Sequence, residues 1–332
     1  MNYKELVYLQ NLPLDLKIRK TLLRIREWYE YHQGNVYVSW SGGKDSTVLL
    51  YLVHRLYKDV PAVFVNTFME FPSIKQFVKG ENVIFLKPQK RFEEIIKVYG
   101  YPVISKKVSR MVYELQNPTH SNVATRKLYF TGYSSKNEYL PSFKLPEKWH
   151  YLIDANFKIS NKCCYFLKHQ PIRQFEKEFK LKPFIGTMAG ESQFRERTYL
   201  KSGCNAFKSK RKVSTPLGFW TEQDILEFIY RYKIPIARCY GDVCKDNYGK
   251  YYTSLESRTG CMYCLYGCHL EKGLNRIQRL AIHHPKQYSY CINNLGYDKV
   301  LDYISIPYHV YHDNTYYEAK GGQLHFNFNK VF

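Results

Sequence analysis

VYVSWSGGKDSTVLLYLVHRL, residues 36–56, sets two glycines, a lysine and an aspartate between an apolar run and an amphipathic one. Val36, Tyr37 and Val38 are β-branched or aromatic and form too short a run for a helix, so they read as a buried strand. Beyond the loop, Val48, Leu49, Leu52, Val53 and Leu56 recur at the spacing of one helix face. Residues 41–47 therefore join a strand end to a helix start. Backbone N–H groups there lack intrahelical partners and the macrodipole is positive, which suits an anion. Gly42 and Gly43 let the backbone curl round such a ligand, Ser39, Ser41, Ser46 and Thr47 bring hydroxyls, and Lys44 brings charge. Phosphate is the expected occupant. The plainer alternative is a Ser/Gly turn with a polar cap and no ligand. A Walker A loop is excluded, because Asp45 separates Lys44 from the hydroxyl pair.

The 332 residues suffice for one large α/β domain with a smaller appendage. No apolar run reaches the length of a membrane span. Lys4, Glu5, Asp15 and Lys17 interrupt the first residues where a signal peptide would be apolar, so a cytoplasmic protein without membrane partners is expected. In that reducing compartment nine cysteines point to metal or redox chemistry rather than disulfides. The net charge of +21 and the 32 tyrosines suggest a polyanionic partner, DNA or RNA. Lys106, Lys107, Arg110, Arg126, Lys127 and Lys136 face one acid, Glu114, over residues 101–136, and residues 201–212 hold five cations and no acid. An A/T-rich genome would enrich Lys and Tyr too, without any such partner.

Residues 14–32 carry a helical face of Ile18, Leu22, Ile25 and Tyr29. Further strands are expected at Ala62–Val65, Val83–Leu86 and Pro183–Gly186, with helical patterns between. That alternation implies a parallel twisted sheet flanked by helices, with ligands at the carboxyl ends of its strands. An adenine-nucleotide domain is expected over residues 1–240, with an irregular insertion near 115–160, followed by a smaller, Cys-rich, mainly helical region over 241–332.

The order SGGKDST resembles the pyrophosphate loop (PP-loop) of the adenine nucleotide alpha hydrolase superfamily. FVNTFMEFPSI at 64–74, CCYFLKHQPI at 163–172 and TPLGFWTEQDILEFIYRYKIPIARCY at 215–240 are similar to successive segments of the phosphoadenylyl-sulfate (PAPS) reductase family. The resemblance implies a Rossmann-like fold, an adenine nucleotide held by Asn66, Thr67 and Glu70 as well as the loop, and a phosphate or substrate side formed by Gly186–Ser192 with Arg195 and Arg197. Lys44, Asp45 and Arg195 are its implied catalytic residues.

Cys261, Cys264 and Cys268, in RTGCMYCLYGCHLE, are spaced so that neighbouring thiolates can converge on one centre. A fourth ligand would come from Cys163, Cys164 or Cys204. By the resemblance, Cys163, Cys164, Cys261 and Cys264 hold a 4Fe-4S cluster. A zinc site and plain buried thiols are the alternatives. The family's E-C-G-[LI]-H tail, which carries the reductase nucleophile, has no match in EAKGGQLHFNFNKVF at 318–332, and the full SGGKDS is similar to ATP-cleaving members. The expected function is therefore ATP cleavage at the α-phosphate with Mg2+, adenylating an acceptor for sulfur transfer, with a sulfur-donor protein as a further partner. A sulfonucleotide reductase and a nucleotide-sensing module are the other readings.

Overall fold

The computed structural model describes residues 2–80, 82–312 and 315–316; the 318–332 segment lies outside them. Two compact units divide the chain, residues 1–88 with 168–260 and residues 89–167 with 261–332.

In the first unit four strands form a parallel sheet. Val36–Ser39 lies between Ala62–Val65 and Lys182–Ile185, and Val83–Leu86 lies outside Ala62–Val65. The chain builds outward on one side, then returns to the other, so a topological switch falls beside the first strand. Both faces of that strand are covered, as a parallel sheet requires. Val36 and Val38 face a core with Trp28, Leu49, Leu52, Phe184 and Trp220. Tyr37 faces the opposite way, against Val63 and Phe175. The helix Lys44–Leu56 buries Val48, Leu49, Leu52 and Val53, the stripe its spacing foretold.

The helix Leu14–Tyr31 turns Ile18, Thr21, Ile25 and Trp28 inward. Its Lys17 is also buried, and Nζ meets Asp224 Oδ2 at 2.6 Å. The same oxygen accepts the Thr221 backbone N–H at 2.6 Å and its hydroxyl at 2.8 Å, which caps the helix Glu222–Tyr232. Trp220 Nε1 donates to Thr21 Oγ1 at 2.9 Å. One carboxylate thus neutralises a buried cation and starts a helix. Removing it would strand Lys17, at a cost of about 3–5 kcal/mol.

In the second unit the short strands Val103–Ile104 and Leu265–Tyr266 pair in parallel. Ser105 caps the helix Lys106–Gln116 by accepting the Val108 N–H. At its far end Gln116 donates to the carbonyls of Leu152 and Phe157 and accepts the Ile159 N–H at 2.9 Å. That one amide anchors a segment with little periodicity of its own. Residues 115–160 contain one helix of nine residues, Val123–Thr131, and several 3-10 turns. Among the described residues no helix is long and apolar enough to cross a membrane.

Candidate functional site

The loop leaves the first strand at the switch point and enters its helix at Gly43. Gly42 has φ +70°, and a Cβ there would lie 2.7 Å from Val78 Cγ1 and 2.8 Å from Ile74 Cγ2, so only glycine fits. Gly43 has ordinary dihedrals, but its Cβ would stand 3.2 Å from Ser41 Oγ and 3.3 Å from the Tyr240 hydroxyl. Its backbone is bare because the space in front of it is narrow. Ser41 Oγ and Ser46 Oγ are 3.0 Å apart, and Ser46 Oγ donates to the Gly43 carbonyl at 3.0 Å. Trp40 Nε1 donates to Thr47 Oγ1 at 3.0 Å. The hydroxyls thus stitch the turn together at the head of the helix, whose first N–H groups point along its axis.

Lys44 is buried, and its ammonium meets Glu222 Oε1 at 3.2 Å, Asp45 Oδ1 at 3.5 Å and the Ser257 carbonyl at 3.0 Å. Its backbone N–H donates to the Tyr240 hydroxyl at 3.2 Å, and that hydroxyl shares a 2.5 Å hydrogen bond with Thr259 Oγ1. Burial raises the Asp45 pKa; Lys44 opposes the rise, while Glu191 and Glu222 add to it. Asp45 Oδ1 is buried without a hydrogen-bond donor. Asp45, Glu191 and Glu222 stand against two cations, Lys44 and Arg195, which leaves one excess negative charge that a divalent cation would offset. Arg195 forms an ion pair with Glu191, whose carboxylate also accepts the Met188 N–H at 2.8 Å.

The loop after the second strand is fixed by Glu70, which is buried and accepts the Thr67 N–H at 3.1 Å and the Thr67 hydroxyl at 2.5 Å. Asn66 Oδ1 accepts the Phe68 N–H at 3.2 Å. Phe68 itself has φ +63°, an uncommon conformation for a bulky residue and one that concentrates at binding sites. A cavity of about 130 Å³ lies between these loops, lined by Ser39, Ser41, Glu70, Lys168 and Thr259 among others. Whole-ligand pockets run to roughly 300–1,000 Å³, so its size matches one end of a larger molecule, against a lining that also includes Trp40, Phe64 and Ile172.

In the second unit Cys163, Cys164, Cys261 and Cys264 lie within electrostatic reach of one another. The Cys163 thiol is pushed up by its hydrogen bond with Cys164, by burial, and by Cys264 and Cys261. Cys264 is pushed up to about 12 by burial and then Cys261, with Arg276 opposing. Cys268 is pushed up to about 11 by burial, and its charged neighbours are Arg276 and Glu271. Among the described residues no group of three or more His, Cys, Asp or Glu is gathered closely enough for one metal ion. Cys204 belongs to the first unit, buried with its sulfur 3.2 Å from the Tyr199 hydroxyl.

The sequence model of the phosphoadenosine phosphosulfate reductase domain matches residues 35–105 and 81–265. The chain belongs to that family. Its matched span takes in both the loop and the C-x2-C pair of this reductase-family protein. An uncharacterized protein of Methanocaldococcus jannaschii is 33% identical over 93 residues, 25% of this chain and 22% of that protein's length. A phosphoadenylyl-sulfate reductase from Candida auris, solved as a phosphate complex, aligns over 72% of this chain and 90% of its own, at 14% identity and a TM-score of 0.37.

Several groups at the reductase-family loop had no signal in the sequence. Tyr240, Ser257 and Thr259 reach it from about 200 residues away, and Glu222 pairs with Lys44 across a similar separation. Glu191 was visible only as part of a polar loop. Tyr240 stands at the end of the 215–240 segment, where nothing in the sequence distinguishes its hydroxyl as a partner of the Lys44 N–H and Thr259.

Proposed function

We propose that this PAPS-reductase-family protein binds ATP with Mg2+, cleaves it between the α- and β-phosphates, and places AMP on an acceptor that a sulfur nucleophile then attacks. The observation that carries this reading is the complete anion cradle, glycines, hydroxyls and buried Lys44, at the carboxyl end of the central strand. A module that only sensed nucleotides would have no need of Lys44 and Asp45 placed together at the phosphates.

In the reaction the acceptor oxygen attacks the α-phosphorus as the bond to the bridging oxygen breaks. Negative charge grows on the departing pyrophosphate. The helix-head N–H groups and Lys44 neutralise it, Asp45 with Glu191 and Glu222 favours the accompanying Mg2+, and Arg195 stands next to that group through Glu191. Asn66, Thr67 and Glu70 are assigned to the adenosine. In the second step a C–S bond forms as the C–O bond to AMP breaks. Cys163, Cys164, Cys261 and Cys264 would hold a 4Fe-4S cluster, an all-thiolate donor set suited to iron-sulfur chemistry. When bound, such a cluster would present sulfide from a donor protein. DNA or RNA is the acceptor class that the charge favours, and the cytoplasm is the expected compartment.

The test is anaerobic incubation with ATP, Mg2+, sulfide and single-stranded DNA or RNA, following pyrophosphate. Release that depends on Lys44 supports the reading. The family membership favours a second reading, sulfonucleotide reduction, which predicts sulfite from phosphoadenylyl sulfate and no pyrophosphate from ATP.

A further inference from the structure

Two adjoining grooves mark one side of the first unit. The first, of about 840 Å³, follows the helix Gln193–Ser202 and is lined by Phe194, Arg197, Lys201, Lys208 and Lys210 among others. The second, of about 700 Å³, is floored by Leu181, Lys182 and Pro183 and shares Lys210 with the first. No carboxylate lines the first groove. The single acid of the second, Glu176, is already engaged: it pairs with Arg211 at 2.6 Å and accepts the Tyr37 hydroxyl at 2.9 Å. Arg211 is thereby spent within the fold, whereas Arg197, Lys201, Lys208 and Lys210 form no ion pair among the described residues. Uncompensated cations held side by side in a concave surface repel one another, and a polyanion relieves them.

Phe194 adds a different signal. It sits in the first turn of the groove's helix and is 79% exposed, so a large ring is left in water beside the cations. An exposed ring between phosphate-binding cations is the arrangement on which unpaired bases stack. A duplex hides its base faces and could not use it. The placement also has a direction. The helix begins directly after Gly186–Ser192, the segment packed on the nucleotide loop, while Lys182 stands at the opposite end of the strand Lys182–Ile185. The outer side of that strand is covered by Ser214, which accepts the Ile185 N–H at 2.8 Å and donates to the Pro183 carbonyl at 3.0 Å, so the grooves lie beside a closed sheet edge, with Phe194 on the helix that follows the segment packed on the loop.

We infer that these grooves bind a single strand of nucleic acid, with Phe194 stacked on a base and Arg197, Lys201, Lys208 and Lys210 on backbone phosphates. As the path along which an acceptor strand reaches the loop, this surface rests on the adenylation reading; as a binding surface it stands without it.

The experiment measures anisotropy of a labelled single-stranded oligonucleotide of about a dozen residues across a salt series, with the matching duplex and phosphatidylserine vesicles alongside. Lys201→Gln with Lys208→Gln and Lys210→Gln should lower the log-log salt slope by about two. Lys97→Gln with Lys272→Gln and Lys299→Gln, which removes equal charge from exposed positions of the second unit outside the 101–136 stripe, should leave it unchanged. Phe194→Ala should weaken binding about tenfold at every salt concentration with the slope kept. Equal loss in both triple variants, tighter binding of the duplex, or binding of vesicles alone would overturn the inference. Pyrophosphate release from ATP and Mg2+, measured with the same oligonucleotide present at saturating concentration, separates the two claims. A protein that shows this binding pattern but releases none under those conditions keeps the groove and loses the adenylation reading.

Discussion

Gly186 packs so closely on the first turn of the loop helix that a Cβ added to it would lie 3.0 Å from Ser46 Cα and 3.1 Å from the Asp45 carbonyl oxygen. The end of one strand thereby sets the position of the helix head that follows its neighbour. Those two strands flank the topological switch, so this contact fixes the crevice where phosphate is expected.

Gly186→Val should therefore displace the helix head. Overpacking of this kind costs about 1–3 kcal/mol of stability. Nucleotide affinity, read by calorimetry, should fall further than the melting temperature would suggest, because the N–H groups themselves move. Unchanged ATP affinity would separate the helix head from binding.

Asp45 gives a pH signature. Burial, joined by Glu191 and Glu222 and opposed by Lys44, raises its pKa in the folded protein. A raised carboxyl pKa means stability that is full below the unfolded value, near 4, and lost as pH rises through the folded one. At neutral pH, well above the unfolded value, the raised pKa therefore costs stability. Asp45→Asn should melt higher than the parent at pH 7.5, with the difference closing as the pH approaches 4. A variant that melts lower at pH 7.5 would show that the pairing with Lys44 outweighs burial.

Much of this site could be read from the sequence because its signals are local. The strand at Val36–Ser39, the glycines and the apolar stripe of the following helix all lie within 21 residues, and the strands Ala62–Val65 and Val83–Leu86 appear where their β-branched runs stand. The Pro183–Gly186 strand is shifted by one residue, to Lys182–Ile185, because Gly186 has left the ladder to meet Ser46. Partners supplied by distant chain were hidden. Nothing local marks the Tyr240 hydroxyl as a contact of Lys44, or Glu176 as the group that takes Arg211 out of the basic stripe. The two compact units are each built from two stretches of chain, and no composition change marks residues 88 or 168.

The cysteines separate by neighbourhood, and their substitutions should separate likewise. After anaerobic reconstitution, Cys163→Ser and Cys264→Ser should lose most of the iron and acid-labile sulfide. Cys204→Ser, whose sulfur contacts Tyr199 in the first unit, should keep both. Stoichiometric zinc without iron in the parent protein would replace the cluster with a structural metal.

The most direct measurement is product analysis of ATP labelled in the α-phosphate, with Lys44→Ala as the control. Cleavage at the α-phosphate predicts labelled AMP or an AMP-acceptor adduct, with pyrophosphate in equal amount, and loss of both in Lys44→Ala. Labelled ADP with inorganic phosphate, or no turnover alongside sulfite release from phosphoadenylyl sulfate, would contradict it.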